Sequence, residues 1–254
     1  LASALAAANN GAKVILADED FLMGGRLNSE LLEIDGMLGT DWARRAIGQL
    51  SNMENVRLMN RTTIYGSYDH GIFGALERCT DHLLHSDGKP RQILWKIHSK
   101  KSILTTGSIE RPIAFGNNDR PGIMTASAVR AYVNRWGVLP GKQTAIFTNN
   151  DDGWATAKIL SDRGMEVAAV IDSRKCDPVE NIPGASIIMG GKIVNTSGRK
   201  RIKNITLVNG QIIPCDCLAV SGGWSPNVHL TCHQGGRPNW APNLNAFRPG
   251  SNLP

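Results

Sequence analysis

Apolar positions recur along the chain in two similar arrangements. At the start, Leu1–Asn9 is Ala-rich and helical in period, Asn10-Gly11 stops it, and the short apolar run Lys13–Ala17 follows and ends on Asp18-Glu19-Asp20. A short unbroken apolar run suits a strand buried on both faces of a parallel sheet, and a glycine just past a helix is a usual stop. Later, Gln143–Thr148 reads as a strand, Trp154–Arg163 as a helix stopped by Gly164, and Glu166–Ile171 as a strand ending on Asp172. Between these two units the spacing predicts a helix over Thr40–Met53, with Thr40 as its N-cap and Asp41 in its first turn. It also predicts a strand-like Val56–Tyr68, a helix over Ile72–His85, and paired strands at Gln92–Ile97 and Lys101–Thr105. Met124–Trp136 reads as a helix ended by Gly137 and Pro140-Gly141. Beyond the second unit, Ala185–Ile188, Lys192–Val194, Ile202–Leu207 and Gln211–Ile213 alternate with turn signals. Asn209-Gly210 among them is the signature of a type I′ hairpin. Cys217–Ser221 is a further buried strand, and His229–Pro254, rich in Pro, Gly and Asn, reads as a return path towards the first unit.

Helix, glycine, strand, acid is the second half of a dinucleotide-binding βαβ unit. A carboxylate at such a strand end accepts hydrogen bonds from the two hydroxyls of an adenosine ribose, and it repels a 2′-phosphate. Asp18-Glu19-Asp20 therefore favours NAD or FAD over NADP, although an acid in this place can also simply cap the next turn. Gly24-Gly25-Arg26-Leu27 lets backbone fold close to the same ligand edge, and Arg26 has the shape to stack on a base or reach a phosphate. The turn at Thr106-Gly107, at the carboxyl end of the expected strand Lys101–Thr105, is a second candidate wall of the site. In the second unit the loop is wrong for a pyrophosphate. Asn149-Asn150-Asp151-Asp152-Gly153 stands where glycines belong, and two carboxylates already occupy the positive end of the helix. It reads as a structural repeat without a nucleotide, unless its acids take a cationic ligand.

Composition narrows the class without changing this picture. The chain has 254 residues, 41% hydrophobic and 20% charged, with a formal net charge of +6. The cations are scattered, and the one dense run, Arg199–Lys203, lacks interleaved aromatics, which argues against nucleic acid. No apolar run is long enough for a membrane span. Five cysteines include no C-x-x-C; Cys215 and Cys217 are expected on one face of a strand, as reduced thiols of a cytoplasmic protein. His82 and His85 stand one helical turn apart with no third ligand nearby, so no metal site is expected, and no catalytic acid–base pair emerges. A start at Leu1 inside a helical pattern suggests an internal portion of a longer protein.

Several stretches carry a more specific likeness. The chain resembles the flavoproteins with two dinucleotide domains, and within them the alpha subunits of heterotetrameric sarcosine oxidases. The likeness rests on Val14–Asp18 with Gly24–Leu27, Arg61–Arg78, Thr105–Met124, Thr148–Gly153 and Gly222–Trp240, where Tyr68-Asp69-His70 and Asn117–Gly122 are the most telling. The resemblance implies an α/β fold of two Rossmann-like FAD/NAD(P)-binding domains, the second inserted into the first. Residues 1–122 and 226–254 would form the first, NAD-binding domain without its first strand and Gly-rich loop; residues 123–225 would form the insert. It implies oxidative demethylation of sarcosine with transfer of the one-carbon unit to tetrahydrofolate. It implies NAD in this subunit, FMN and FAD in the complete enzyme, and beta, gamma and delta subunits as partners. Carried onto this sequence, Asp18, Glu19 and Asp20 match the ribose acids, with Gly25, Arg26 and Leu27 beside them. Thr62 or Thr63 matches the adenine-side strand, and Thr106 and Gly107 the small turn. The alternatives are an opine or amine oxidase subunit with FAD in the first domain, or a non-catalytic assembly module stabilised by its nucleotide.

Overall fold

A computed structural model describes residues 1–250 of the chain, so the last four residues of the expected first domain, 251–254, lie outside the described part. The chain divides into two compact units, Leu1–Gly107 with the segment from Pro226 onward, and Ser108–Ser225. Residues 108–122, expected in the first domain, thus belong to the second unit.

In the first unit, α1 (Ala2–Asn9) leads into β1 (Val14–Ala17). A small hairpin of β2 (Glu33–Ile34) and β3 (Met37–Leu38) precedes α2 (Gly39–Ser51) and β4 (Val56–Met59). β1 and β4 pair in parallel, Val14 opposite Val56 and Ala17 opposite Met59. Ala4, Ala8 and Leu50 of the two helices are buried against Val14, Leu16, Val56 and Leu58, so the helical and strand periodicities share one core. The N-cap of α2 is Leu38 rather than Thr40, which falls inside the first turn.

β5 (Thr62–Tyr68), β6 (Ile72–Arg78) and β7 (Gln92–His98) then form an antiparallel sheet. The expected helix over Ile72–His85 is therefore wrong. Ile72–Arg78 is the middle strand, with Phe73 and Ala75 buried on one face. Pairing on both edges satisfies its backbone more completely than an uncapped helix would, which is how tertiary context overrides propensity. The expected strand Lys101–Thr105 is also absent. That stretch forms no strand with any of the described residues, and Ile103 and Leu104 are exposed, so no burial holds it in a ladder.

The second unit opens with β8 (Ser108–Glu110). A parallel sheet follows from β9 (Ile123–Thr125), α3 (Ala126–Trp136), β10 (Gln143–Thr148), α4 (Asp151–Asp162), β11 (Glu166–Asp172) and β12 (Ser186–Met189). β13 (Ile193–Ser197), β14 (Asn204–Leu207) and β15 (Ile212–Pro214) make an antiparallel sheet, and β16 (Cys217–Ser221) returns to the parallel one. The parallel order is β12-β11-β10-β16-β9, and β8 pairs with β17 (Trp224–Pro226). Each strand turns alternate residues to opposite layers. Ile146, Ala219 and Val170 meet Val129, Val133, Trp154 and Leu160 of the helices. Ala145, Phe147, Leu218 and Val220 meet Ile193, Ile205, Leu207 and Ile213 of the antiparallel sheet. This three-layer packing is why the strands read as continuous apolar runs. Cys217 packs in the first layer and Cys215 in the second, correcting the expectation that both thiols share a face; Cys215 precedes the strand. Burial pushes the Cys215 thiol up to about 12 and Cys217 up to about 11, so neither is a nucleophile at neutral pH.

The Asn209-Gly210 turn does join β14 to β15, but only Gly210 takes a positive φ, 83°. Leu207 donates to Gln211 and accepts from Gly210, so the turn is the three-residue bulged form rather than type I′. The chain then returns to the first unit through the short α5 (His229–Cys232) and a hairpin of β18 (Asn239–Ala241) and β19 (Ala246–Arg248). No helix among the described residues is long and apolar enough to cross a membrane.

Candidate functional site

The acids stand where the parallel ladder of the first unit runs out. Asp18 N–H still donates to Met59 carbonyl at 2.9 Å, one residue beyond β1. From there the loop is tied by its backbone to the corner between β4 and β5. Thr62 N–H donates to the Asp18 carbonyl and Arg61 N–H to the Asp20 carbonyl, both at 2.8 Å. Asn60 Nδ2 donates to Phe21 O at 3.1 Å and an Arg78 guanidinium nitrogen to Glu19 O at 2.8 Å. Asn28 closes the far side by donating to Leu22 O and Met23 O. A loop with this many fixed carbonyls presents its side chains in one arrangement, which is what a binding site needs.

The three carboxylates are not equivalent. Asp18 Oδ1 accepts from the Asp20 amide at 3.0 Å, and Oδ2 has no partner among the described residues. Glu19 is exposed and its carboxylate takes no hydrogen bond from them either. Asp20 Oδ1 is spent on the Leu22 amide at 3.2 Å. Asp18 and Glu19 can thus accept from a vicinal diol, while Asp20 shapes the loop.

The remaining sequence-predicted residues divide. Gly24 has φ 128° and an added Cβ would lie 3.2 Å from Ala43 Cβ, so glycine is required there by both conformation and packing against α2. Gly25, φ 57°, opens a short 3-10 turn over Arg26, Leu27 and Asn28. Arg26 is exposed and bonded to Glu30 at 2.8 Å, which holds its guanidinium along the turn. Thr62 is 1% exposed and its hydroxyl donates to Asn60 O, so it braces the corner from inside; Thr63 is half-buried. Thr106 and Gly107 are exposed and clamped elsewhere. Thr106 Oγ1 donates to Asn227 O at 3.0 Å, and Asn227 N–H donates to Gly107 O at 3.0 Å. No described hydrogen bond joins this turn to the acid corner. A hollow of about 250 Å³ in the first unit is lined by Leu5, Trp42 and Arg45 among others and includes none of the predicted site residues.

The corresponding place in the second unit is filled by the protein itself. Asn150 caps α4 by accepting from the Asp152 amide at 3.0 Å. The Asp152 carboxylate accepts two hydrogen bonds at 3.0 Å from Arg130, a guanidinium with no exposed surface, and a third from Trp224 Nε1 at 3.2 Å. At the next strand end, Asp172 is fully buried. It accepts from Trp154 Nε1 at 2.8 Å and from Arg174, whose other partner is Asp151 at 2.8 Å. Gly153 is pressed on Thr148, where an added Cβ would lie 2.4 Å from Thr148 Cβ and Oγ1. The acids of this loop meet a cation supplied by the fold. Nothing in the sequence spacing linked Arg130 or Arg174 to them.

Among the described residues no group of three or more His, Cys, Asp or Glu could hold a metal ion. His82 and His85 lie in the irregular segment after β6 rather than on a helix, and His233 Nδ1 instead accepts from the Ser67 amide at 3.3 Å.

No family model matches the chain. Among known proteins, it is 44% identical over 256 residues to sarcosine oxidase subunit alpha of Rhizobium meliloti (strain 1021), covering 99% of this chain and 26% of that protein. Sarcosine oxidase subunit alpha of Corynebacterium sp. (strain U-96) is 36% identical over 98% of the chain and 28% of its own length. The chain spans about a quarter of the length of these relatives. Among solved structures, L-proline dehydrogenase from P. horikoshii matches 98% of the chain and 44% of its own with a TM-score of 0.75 at 18% identity. Thioredoxin reductase of Lactococcus lactis matches 92% of the chain with a TM-score of 0.66 at 13% identity. These likenesses show the α/β FAD/NAD(P)-binding fold with a second, inserted dinucleotide-type domain.

Proposed function

We propose that this chain, homologous over nearly its whole length to one segment of sarcosine oxidase alpha subunits, is the NAD-binding portion of such a subunit. The observation that carries this reading is the acid corner: Asp18 Oδ2 and the Glu19 carboxylate have no partner among the described residues, on a loop whose backbone is fixed at four carbonyls. That donor set fits a ribose diol, which offers two hydroxyl donors to two acceptors. It does not fit a 2′-phosphate, because juxtaposed like charges cost several kcal/mol. NAD, when bound, would supply either a nicotinamide for hydride transfer or a fixed structural element. The chain's own part is to bind and orient: Asp18 and Glu19 take the ribose, Asp20 and Thr62 hold the loop, and Gly24, Gly25, Arg26 and Leu27 form its return. No residue of the chain is assigned to catalysis. The whole enzyme, on this reading, demethylates sarcosine oxidatively in the cytoplasm, uses FMN and FAD, passes the one-carbon unit to tetrahydrofolate, and needs beta, gamma and delta subunits.

The test is made on the full-length subunit co-expressed with its partners. The enzyme is denatured and the released nucleotides are identified by mass. NAD is expected, and Asp18→Ala is expected to lose most of it. FAD without NAD would favour an opine or amine oxidase subunit, and no nucleotide traceable to this subunit would contradict the binding role.

A further inference from the structure

We propose that the ring of Phe21, held against the guanidinium of Arg61, is the surface on which the base of the dinucleotide stacks. The inference rests on the reading of Asp18 and Glu19 as the ribose acids and adds the base to it. Phe21 follows the acids directly on the same pinned loop and stays 42% exposed. A lone exposed apolar side chain is ordinary. This one is not loosely placed. The carbonyl of Phe21 is gripped by Asn60 Nδ2, and the Arg61 amide grips the carbonyl of Asp20 just before it. The Arg61 Cζ lies 5.2 Å from the ring centroid, within cation–π range. Arg61 adopts φ 52°, a left-handed conformation that non-glycine residues seldom take. The unusual backbone of Arg61 lets its amide meet Asp20 while its side chain covers Phe21.

Four donors of the corner are already engaged. Asn60 Nδ2, Arg61 N–H, Thr62 N–H and Thr62 Oγ1 all serve the loop or the corner itself. What the corner offers a base is therefore a π-face backed by a cation, and stacking of that kind discriminates poorly among bases. The site should hold the base firmly without reading its edge.

The test uses the full-length subunit with its partner subunits, stripped of nucleotide, and calorimetric titration with three probes: ADP-ribose, nicotinamide mononucleotide, and the hypoxanthine analogue of NAD. Phe21→Ala is expected to weaken ADP-ribose by about ten-fold or more, as loss of one base–aromatic stack does. It should leave mononucleotide binding unchanged, and Phe21→Trp should restore ADP-ribose. The hypoxanthine analogue should bind the unaltered protein nearly as well as NAD. Arg61→Gly keeps the left-handed backbone accessible, removes the cation, and is expected to weaken ADP-ribose as well, so a folding failure of one variant does not decide the matter. If Asp18→Ala weakens ADP-ribose and neither Phe21→Ala nor Arg61→Gly does, the stacking surface is wrong and the ribose acids stand. If the unaltered protein binds no ADP-ribose, both are overturned.

Discussion

Asp172 is a buried carboxylate whose charge the protein retains. Burial pushes its carboxyl up, but the hydrogen bonds from Arg174 and Trp154 outweigh that and hold it below the ordinary carboxylate range. Arg174 is raised in turn, first by its hydrogen bond to Asp172. A depressed folded pKa contributes stability above the unfolded value of about 3.9 and loses it as pH falls through the folded value. The protein should therefore lose stability progressively as pH falls below about 4. Asp172→Asn should flatten that fall while lowering stability at neutral pH, because Arg174 and Trp154 lose their charged acceptor. Denaturant midpoints measured across the acid range check this, and an unchanged acid slope would contradict it. At the same scale, Asp18-Glu19-Asp20 reads as three similar acids in sequence. The hydrogen bonds of the folded loop separate the two that are open to a ligand from the one that shapes the turn.

Elements were legible where their own pattern decided them. β10, α4, β11 and β16 follow from apolar runs, a glycine stop and short length, and the structure bears them out within a residue or a few. Ile72–Arg78 reads as helical because its apolar residues do not alternate strictly with polar ones; pairing with β5 on one edge and β7 on the other makes it the middle strand. Lys101–Thr105 was misread for the opposite reason, an apolar strand pattern with no partner to pair it. The β10–α4 junction carries a prediction of its own. Gly153 lets α4 begin against Thr148, so Gly153→Ala forces Thr148 or the helix to move. Overpacking of this kind costs about 1–3 kcal/mol. A thermal melt of the variant should show that loss, and an unchanged melting temperature would mean the junction is looser than its packing indicates.

For the whole molecule, the two units share a plan and differ at the ligand end. In the first, carboxylates at a strand end are open; in the second, both the helix N-terminus and the strand-end acid are satisfied internally by Arg130, Arg174, Trp154 and Trp224. Separating either pair to admit a pyrophosphate would leave a buried charge without its partner, at a cost of about 3–5 kcal/mol. We therefore expect one NAD per chain in the full-length subunit, held by the first unit. Quantified release that gave two would contradict the internally filled loop. NADP should bind more than ten-fold more weakly than NAD, since several kcal/mol of like-charge repulsion exceeds the 1.4 kcal/mol of a ten-fold change; equal affinity would mean that Asp18 and Glu19 do not face the ribose.

By itself the sequence determined the class of the fold, the places where strands end on acids, and the unsuitability of Asn149–Gly153 as a phosphate loop. All three are local: a period of 2 or 3.6, a glycine stop, or a side chain where none is tolerated can be read within a dozen residues. Only the tertiary structure decided which acids remain open and which are consumed. It also decided that Thr106-Gly107 is tied to Asn227, and that residues 108–122 belong to the second unit. Those outcomes depend on which donor, far away in the chain, reaches each acceptor. A buried polar group must be satisfied by whatever neighbour folding brings to it, and nothing in the spacing around Asp152 announces Arg130.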